Sequence, residues 1–217
     1  MRPRVTLYTV VHGPVFERYA ADLLASAREH FCRSWNPEIV TLPTPHTEWP
    51  WSSARRYGVA LANRRKLRGD YIFQVDADSR FEYPVNLSEI IADGIVVTTH
   101  PGFPPHEVEP ARFPYCRDLA STAYVAHGEE GATYHPGAFV GGSREAFFEM
   151  CRVVDARIVE DQSRKVHAVW YEESHLNRYL IDNPPALILP QRFCYWDYWG
   201  PAEGDARTLV HLDKTRA

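Results

Sequence analysis

The chain is predicted to fold as an α/β protein built on a largely parallel sheet flanked by helices. Two observations carry this expectation. Through the first hundred residues, short β-branched apolar runs alternate with stretches whose apolar residues recur at helical spacing. In addition, polar loops follow directly on apolar runs, after Val75 and after Thr99, which is where such sheets present ligand-binding loops.

The elements follow in order. Residues 5–11 (VTLYTVV) are rich in β-branched side chains and read as a buried strand, broken by Gly13-Pro14. Apolar residues at 16, 20, 23, 24, 27 and 31 then mark one face of a helix over 15–31. A second short strand is expected at 38–42, then a loop with Pro43, Pro45 and Pro50, then a helix over 51–66 ending in Arg64-Arg65-Lys66. A third strand, 70–75, runs into Asp76-Ala77-Asp78, and a fourth, 95–99, runs into His100-Pro101-Gly102-Phe103. Residues 104–127 have scattered Pro and aromatics with little periodicity and read as loop. A short strand with a Gly-rich turn is expected at 137–142, with Ser143 capping a helix toward 159. A further helix over 172–182 is stopped by Asn183-Pro184-Pro185, and 186–189 forms a last strand.

Composition bounds the function. At roughly 150 residues per domain, 217 residues make one domain or one and a half. A chain with 45% hydrophobic and 24% charged residues is not a disordered tail, a collagen or a coiled coil. Twenty-four basic against 28 acidic residues leave a net charge of −4, a poor footprint for nucleic acid. Cys32, Cys116, Cys151 and Cys194 are far apart with no C-x-x-C pair, and read as isolated reduced thiols. The apolar run at the N-terminus is too short for a signal peptide, and nothing approaches a membrane span, so a cytoplasmic location without a membrane anchor is expected. Six Trp and twelve Tyr are an excess that suits either ligand stacking or a large core.

Several groups can carry chemistry. Asp76 and Asp78 emerge together at the carboxyl end of a strand. Two close carboxylates repel unless a cation lies between them, and Mg²⁺ or Mn²⁺ binds through one or two carboxylates plus substrate phosphates; a solvated turn is the other reading. Glu172-Glu173, followed by Ser174-His175-Leu176-Asn177, suits either the dipole of a helix N-terminus or a carboxylate that stabilises a developing sugar cation. The His100 and His135-Pro136-Gly137-Ala138 segments serve either turn chemistry or close ligand approach. Arg55-Arg56 suits either a solvated helix face or bidentate contact with sugar or phosphate.

Taken in order, VDADSRF, TTHPGF, YHPGAFVGGS, WYEESHLNRYL and PALILP resemble the motifs of family 6 glycosyltransferases, the group of the histo-blood-group A and B transferases and α-1,3-galactosyltransferase. The likeness runs from about Val5 to the end and is most specific over 168–180. It implies a GT-A fold, a Rossmann-like mixed, mostly parallel sheet flanked by helices. It also implies transfer of galactose or N-acetylgalactosamine from UDP-galactose or UDP-N-acetylgalactosamine, with retention, in α-1,3 linkage to a galactoside glycan, fucosylated or not. Under the resemblance, one catalytic domain spans the chain: 1–99 bind the nucleotide sugar, 100–195 the acceptor, and 196–217 form a tail. Asp76 and Asp78 match the metal-binding D-x-D, with Mn²⁺ or Mg²⁺ as cofactor, and Glu173 the catalytic carboxylate. Arg56 (with Trp49 at the family spacing before it), Glu172, Pro136, Ala138, Lys214 and Val11 fall on the donor side. His100, Trp170 and Tyr171 fall on the acceptor side. Trp170, Tyr171, Phe103, Tyr134 and Phe139 lie inside these motifs, where rings can stack on a sugar; Trp196 and Trp199 carry only a core or hinge reading.

The chain departs from the family in places. Tyr171 stands where His is usual, Pro136 is unusual at its position, and Pro114 replaces a polar residue. Under the resemblance, the methyl of Ala138 is expected to narrow the pocket and lean toward galactose, although relatives with Ala here use either sugar. Animal members carry an anchor and stem ahead of the domain, so a chain of this form is expected to be bacterial or phage-encoded. Many bacterial relatives carry Asn-x-Asn in place of D-x-D; the two carboxylates here imply metal dependence. The alternatives are a GT-A transferase with a different UDP-sugar and a non-catalytic glycan-binding relative.

Overall fold

The computed structural model describes residues 2–44, 50–199 and 207–213. Six strands, β1 (Val5–His12), β2 (Glu38–Thr44), β3 (Tyr71–Val75), β5 (Ile95–Thr98), β6 (Phe139–Ser143) and β7 (Leu187–Leu189), form one sheet in the order β2-β1-β3-β6-β5-β7. The β1–β2, β1–β3 and β5–β7 pairs are parallel, while β6 runs antiparallel to both its neighbours. The α/β expectation therefore holds, with a mixed sheet.

Helices cover both faces. α1 (Gly13–His30) lies on one face with the short α4 (Leu87–Ile90); α5 (Arg144–Ser163), α6 (Tyr171–Asp182) and α3 (Arg56–Ala62) lie on the other. Because successive strand residues point to opposite faces, they divide between two cores. Val5, Leu7, Phe73 and Val75 join Leu23 and Phe31 in one. Tyr8, Val10, Ile72 and Val140 join Phe147, Val154 and Leu176 in the other. This explains why β1 is apolar without alternation, as a strand covered on both sides must be.

Three expectations are refined. The helix expected over 51–66 is broken at Arg55 into α2 (Trp51–Ala54) and α3, and ends in turns. The break sends the adjacent arginines in different directions: Arg55 Nε reaches Asp155 at 3.1 Å, and Arg56 turns inward. Ser143 occupies the N-cap of α5 but its side chain makes no capping bond; it closes β6, its N–H donating to the Gly94 carbonyl at 3.0 Å, and Arg144 N–H donates to Asp70 O at 2.8 Å. The glycines of β6 serve strand packing rather than a ligand. A Cβ on Gly141 would lie 2.2 Å from Phe73 Cδ1, and Gly142, at φ +145°, would place one 2.1 Å from Gly94 O.

A second, three-stranded sheet, β4 (Ser79–Phe81), β9 (Leu209–His211) and β8 (Tyr195–Trp196), was not legible in the sequence. β4 continues directly from Asp78, and β9 pairs with both β4 and β8, so the C-terminal segment is drawn against the Asp76-Ala77-Asp78 loop. The loop-rich middle is borne out, with one 3₁₀ turn at Pro110–Arg112. All four cysteines are free and buried. Among the described residues no helix is long and apolar enough to cross a membrane.

Candidate active site

A cleft of about 390 Å³ opens where β3, β5, β6 and the N-terminus of α6 meet the small sheet. Its lining brings together Arg56, Asp76, Asp78, His100, Pro136, Gly137, Ala138, Glu172 and Glu173, residues that arrive from five separate chain segments.

Arg56 is the hub. One guanidinium nitrogen, Nη1, donates to Asp76 Oδ1 at 2.5 Å and to Gly137 O at 2.9 Å; Nη2 lies 2.9 Å from Glu172 Oε1. Its side chain is only 11% exposed, which excludes the solvated-face reading. Burial works against its charge, but Asp76 and Glu172 prevail and hold the guanidinium above its ordinary value. Burial also raises Glu172 in spite of Arg56. Asp76 Oδ1 accepts a further bond from Gln74 Nε2 at 3.1 Å, and the Asp76 N–H donates to Ala138 O at 3.0 Å. Asp78 is nearly buried, and its carbonyl accepts from the Leu212 N–H at 2.8 Å, the tie that brings residues 211–213 to the cleft.

Glu173 lies on the first turn of α6, where the helix dipole favours an acid. Its Oε2 accepts the Gly137 N–H at 3.2 Å, and Oε1 lies 4.0 Å from His100 Nε2. Burial is the main influence on it, with Glu172 adding, and together they raise its carboxyl to about 8. His100 Nδ1 accepts the Gly102 N–H at 3.0 Å, which leaves the ring proton of the neutral form on Nε2, toward Glu173. Burial lowers His100 to about 4, so it is neutral near pH 7.

Asn177, one turn along α6, binds the site together. Its side-chain carbonyl accepts the His135 N–H at 2.9 Å, and its amide donates to His135 O at 2.8 Å and to Glu173 O at 2.9 Å. His135 Nδ1 in turn donates to Thr98 O at 2.9 Å. The 135–138 loop is thereby fixed to both the helix bearing Glu173 and the strand leading to His100.

Other expected residues lie elsewhere. Val11 is in a small core cluster with Ala20 and Ala77, beneath the D-x-D loop and not on the cleft wall. Tyr171, at φ +47°, turns its ring to a separate small cavity beside Trp51 and His175. Trp170 is 52% exposed ahead of α6 and does not line the cleft. Phe139 is buried and stacked between Phe73 and Phe193, so its ring serves the core. Buried Tyr134 packs edge-on against His100 at 5.6 Å, and its hydroxyl acts on Glu173, working against the rise of that carboxyl. Lys214 and Trp49 fall outside the described residues. Conversely, Cys194, Trp196, Tyr198, His211, Leu212 and Asp213 line the cleft without having been singled out for it. Trp196 meets the His100 ring edge-to-face at 5.6 Å.

Among the described residues no three His, Cys, Asp or Glu side chains converge as a metal cluster. Two carboxylates in one cleft suit a hard divalent ion that takes its remaining oxygens from water and phosphate.

The model of glycosyltransferase family 6 matches residues 53–215. Human globoside α-1,3-N-acetylgalactosaminyltransferase 1 is 36% identical over 207 residues, covering 84% of this chain and 58% of that protein. Rat histo-blood group ABO system transferase 2 is 34% identical over 162 residues, 73% of this chain and 47% of its own length. The O-antigen biosynthesis glycosyltransferase WbnI of Escherichia coli is 24% identical over 192 residues, 88% of this chain and 79% of its own length. The chain thus spans under two thirds of the animal relatives and more of the bacterial one. Matched by the family model over most of its length, and 36% identical to a relative over 84% of it, the chain belongs to glycosyltransferase family 6.

Proposed function

We propose that this cleft transfers galactose or N-acetylgalactosamine from a UDP-sugar to a galactoside acceptor, in α-1,3 linkage with retention. The observation that carries the reading is the convergence of Glu173, the Arg56–Glu172 pair and the Asp76/Asp78 carboxylates on one cleft.

In this reading Asp76 and Asp78 hold Mn²⁺ or Mg²⁺, which when bound neutralises charge on the donor diphosphate and its leaving group. Lys214 adds a second cation from the tail. Arg56 and Glu172 fix the donor sugar, since a salt-bridged pair has few orientations open to it. Ala138 and Pro136 shape the space around the sugar's second carbon. Glu173 faces the anomeric carbon and, as the carboxylate, stabilises or captures the oxocarbenium-like centre. His100 presents Nε2–H to the acceptor, and Trp196 gives it an apolar wall. Trp170 contributes from the exposed turn before α6, whereas Val11 and Tyr171 support the D-x-D loop and the helix rather than touching substrate.

The test is Glu173→Gln, assayed with a panel of UDP-sugars against fucosylated and plain galactosides. Transfer is expected to fall by orders of magnitude while UDP binding, measured calorimetrically, stays near wild type. Wild-type transfer by the variant would overturn the role of Glu173. Transfer only from a sugar other than the two named would overturn the donor assignment alone.

A further inference from the structure

The edge of the main sheet opposite the cleft is strongly basic, although the chain carries a net charge of −4. Arg2 and Arg4 precede β1, Arg33 follows α1, and Arg64, Arg65, Lys66 and Arg68 form the turn between α3 and β3. These seven side chains come from three segments that all meet at the amino ends of the parallel strands, and all seven residues are exposed. Among the acids, Asp70 is taken by Arg4 at 3.1 Å, and Glu38 also acts on Arg4. A groove of about 490 Å³ between the segments is lined by Arg2, Arg4, Arg68, Trp35, Asn36 and one acid, Glu38, whose carboxylate accepts the Thr6 hydroxyl at 3.1 Å; the Arg2 guanidinium lies 5.5 Å from the Trp35 ring centre.

The basic turn is built rather than loose. Arg144 donates to the carbonyls of Leu67, of Gly69 at 3.4 Å and of Arg64 at 3.2 Å. The Phe148 ring has Arg64 at 4.7 Å and Arg144 at 5.0 Å from its centre. The Gly69 N–H is fixed on the Thr6 hydroxyl at 2.8 Å. Burial together with Arg64 and Arg4 pushes the Arg144 guanidinium below its usual value, the mark of like charges held together by the fold.

We infer that this edge docks on an anionic lipid bilayer, with a headgroup phosphate in the Trp35 groove and the cleft facing away from the membrane. Clusters of four to eight cations read as binding sites for anionic lipid, each worth about 1 kcal/mol near the surface. Trp at such a face suits the headgroup level. A broad edge of arginines from three segments matches a plane of phosphates better than the groove of a nucleic acid. The inference does not rest on the proposed transfer reaction.

The test is co-sedimentation of the full chain with vesicles of phosphatidylcholine alone or with phosphatidylglycerol added. Binding is expected only to the anionic vesicles and to weaken as salt is raised. Arg65→Gln/Lys66→Gln should weaken it about thirtyfold, two cations at roughly a factor of five to six each, with the melting temperature unchanged. Arg112→Gln, on the loop-rich side, should change nothing. Equal binding to neutral vesicles, binding insensitive to the double substitution, or binding to duplex nucleic acid in preference to vesicles would each overturn the inference.

Discussion

Arg56 is the residue whose loss the structure makes most costly. Its guanidinium lies within 2.9 Å of both Asp76 and Glu172, and the three side chains are 11%, 27% and 11% exposed. Arg56→Ala therefore leaves two largely buried carboxylates facing each other without a cation. Breaking a buried ion pair by removing one partner costs about 3–5 kcal/mol. For a chain of this length about 1 kcal/mol moves the melting temperature by roughly 2–4 °C, so a fall of roughly 6–20 °C is expected near neutral pH. The pH dependence gives a sharper check. Without Arg56 the Glu172 carboxyl, already raised by burial, is raised further in the folded state, so the variant regains stability by binding a proton as pH falls toward the ordinary carboxylate range. The gap between variant and wild type should narrow in acid. Urea unfolding of both proteins across this range measures it. A loss under about 1 kcal/mol, or a gap that does not narrow with acid, would refute the view that Arg56 is the buried cation of the site.

Two further expectations concern the same cleft. Asp78→Asn should abolish binding of Mn²⁺ to the UDP-bound protein, read by the electron paramagnetic signal of free Mn²⁺, without lowering the melting temperature; unchanged Mn²⁺ binding would remove Asp78 from the metal site. Asn177→Ala orphans the buried N–H and C=O of His135 and should cost about 2–4 kcal/mol in urea unfolding, one to two per group. It should also lower kcat more than it changes KM, because the loop holding Glu173 through Gly137 loses its tie.

The reach of the sequence ended where local signals end. β1, β3 and β5 were legible because buried strands must be runs of β-branched apolar residues, and α1 and α6 because a helix half in water must show one apolar face. The antiparallel sense of β6 was not, since Gly137–Gly142 carries no mark of direction and only pairing with β3 and β5 sets it. The strands β8 and β9 have two and three residues, too few for a period of two to register. With them went the positions of Trp196 and His211, which reach the cleft only by pairing across the small sheet. In the same way Arg55 and Arg56 look alike in sequence. Only the break between α2 and α3 separates a half-exposed partner of Asp155 from the hub of the cleft. Rings in matched motifs were the least reliable guide: Phe139 is core and Tyr171 turns to another cavity.

The balance of charge in the cleft leads to one more expectation. Asp76, Asp78, Glu172, Glu173 and Asp213 line it, and among the described lining residues Arg56 is the one permanent cation. Two of the five acids are satisfied by Arg56. Glu173 responds to burial and to Glu172 by holding its proton to about 8. Because its folded value lies above the unfolded 4.5, Glu173 favours the fold fully below about 4.5, and that contribution is lost as pH rises through about 8. Glu173→Gln, which mimics the protonated acid, should thus match wild type in stability at pH below the lower value and exceed it above the higher one. The carboxylate needed for transfer should make kcat/KM of the wild type climb over the same upper range. Divalent cation at Asp76 and Asp78 lowers the cost of a nearby negative charge, so saturating Mn²⁺ should shrink the variant's stability advantage at high pH and make it level off at lower pH. Thermal melts of both proteins with and without Mn²⁺ decide it. If Mn²⁺ raises the melting temperature yet leaves the variant's advantage at high pH unchanged, the D-x-D loop and Glu173 are electrostatically separate, and the acids of the cleft do not act as one system.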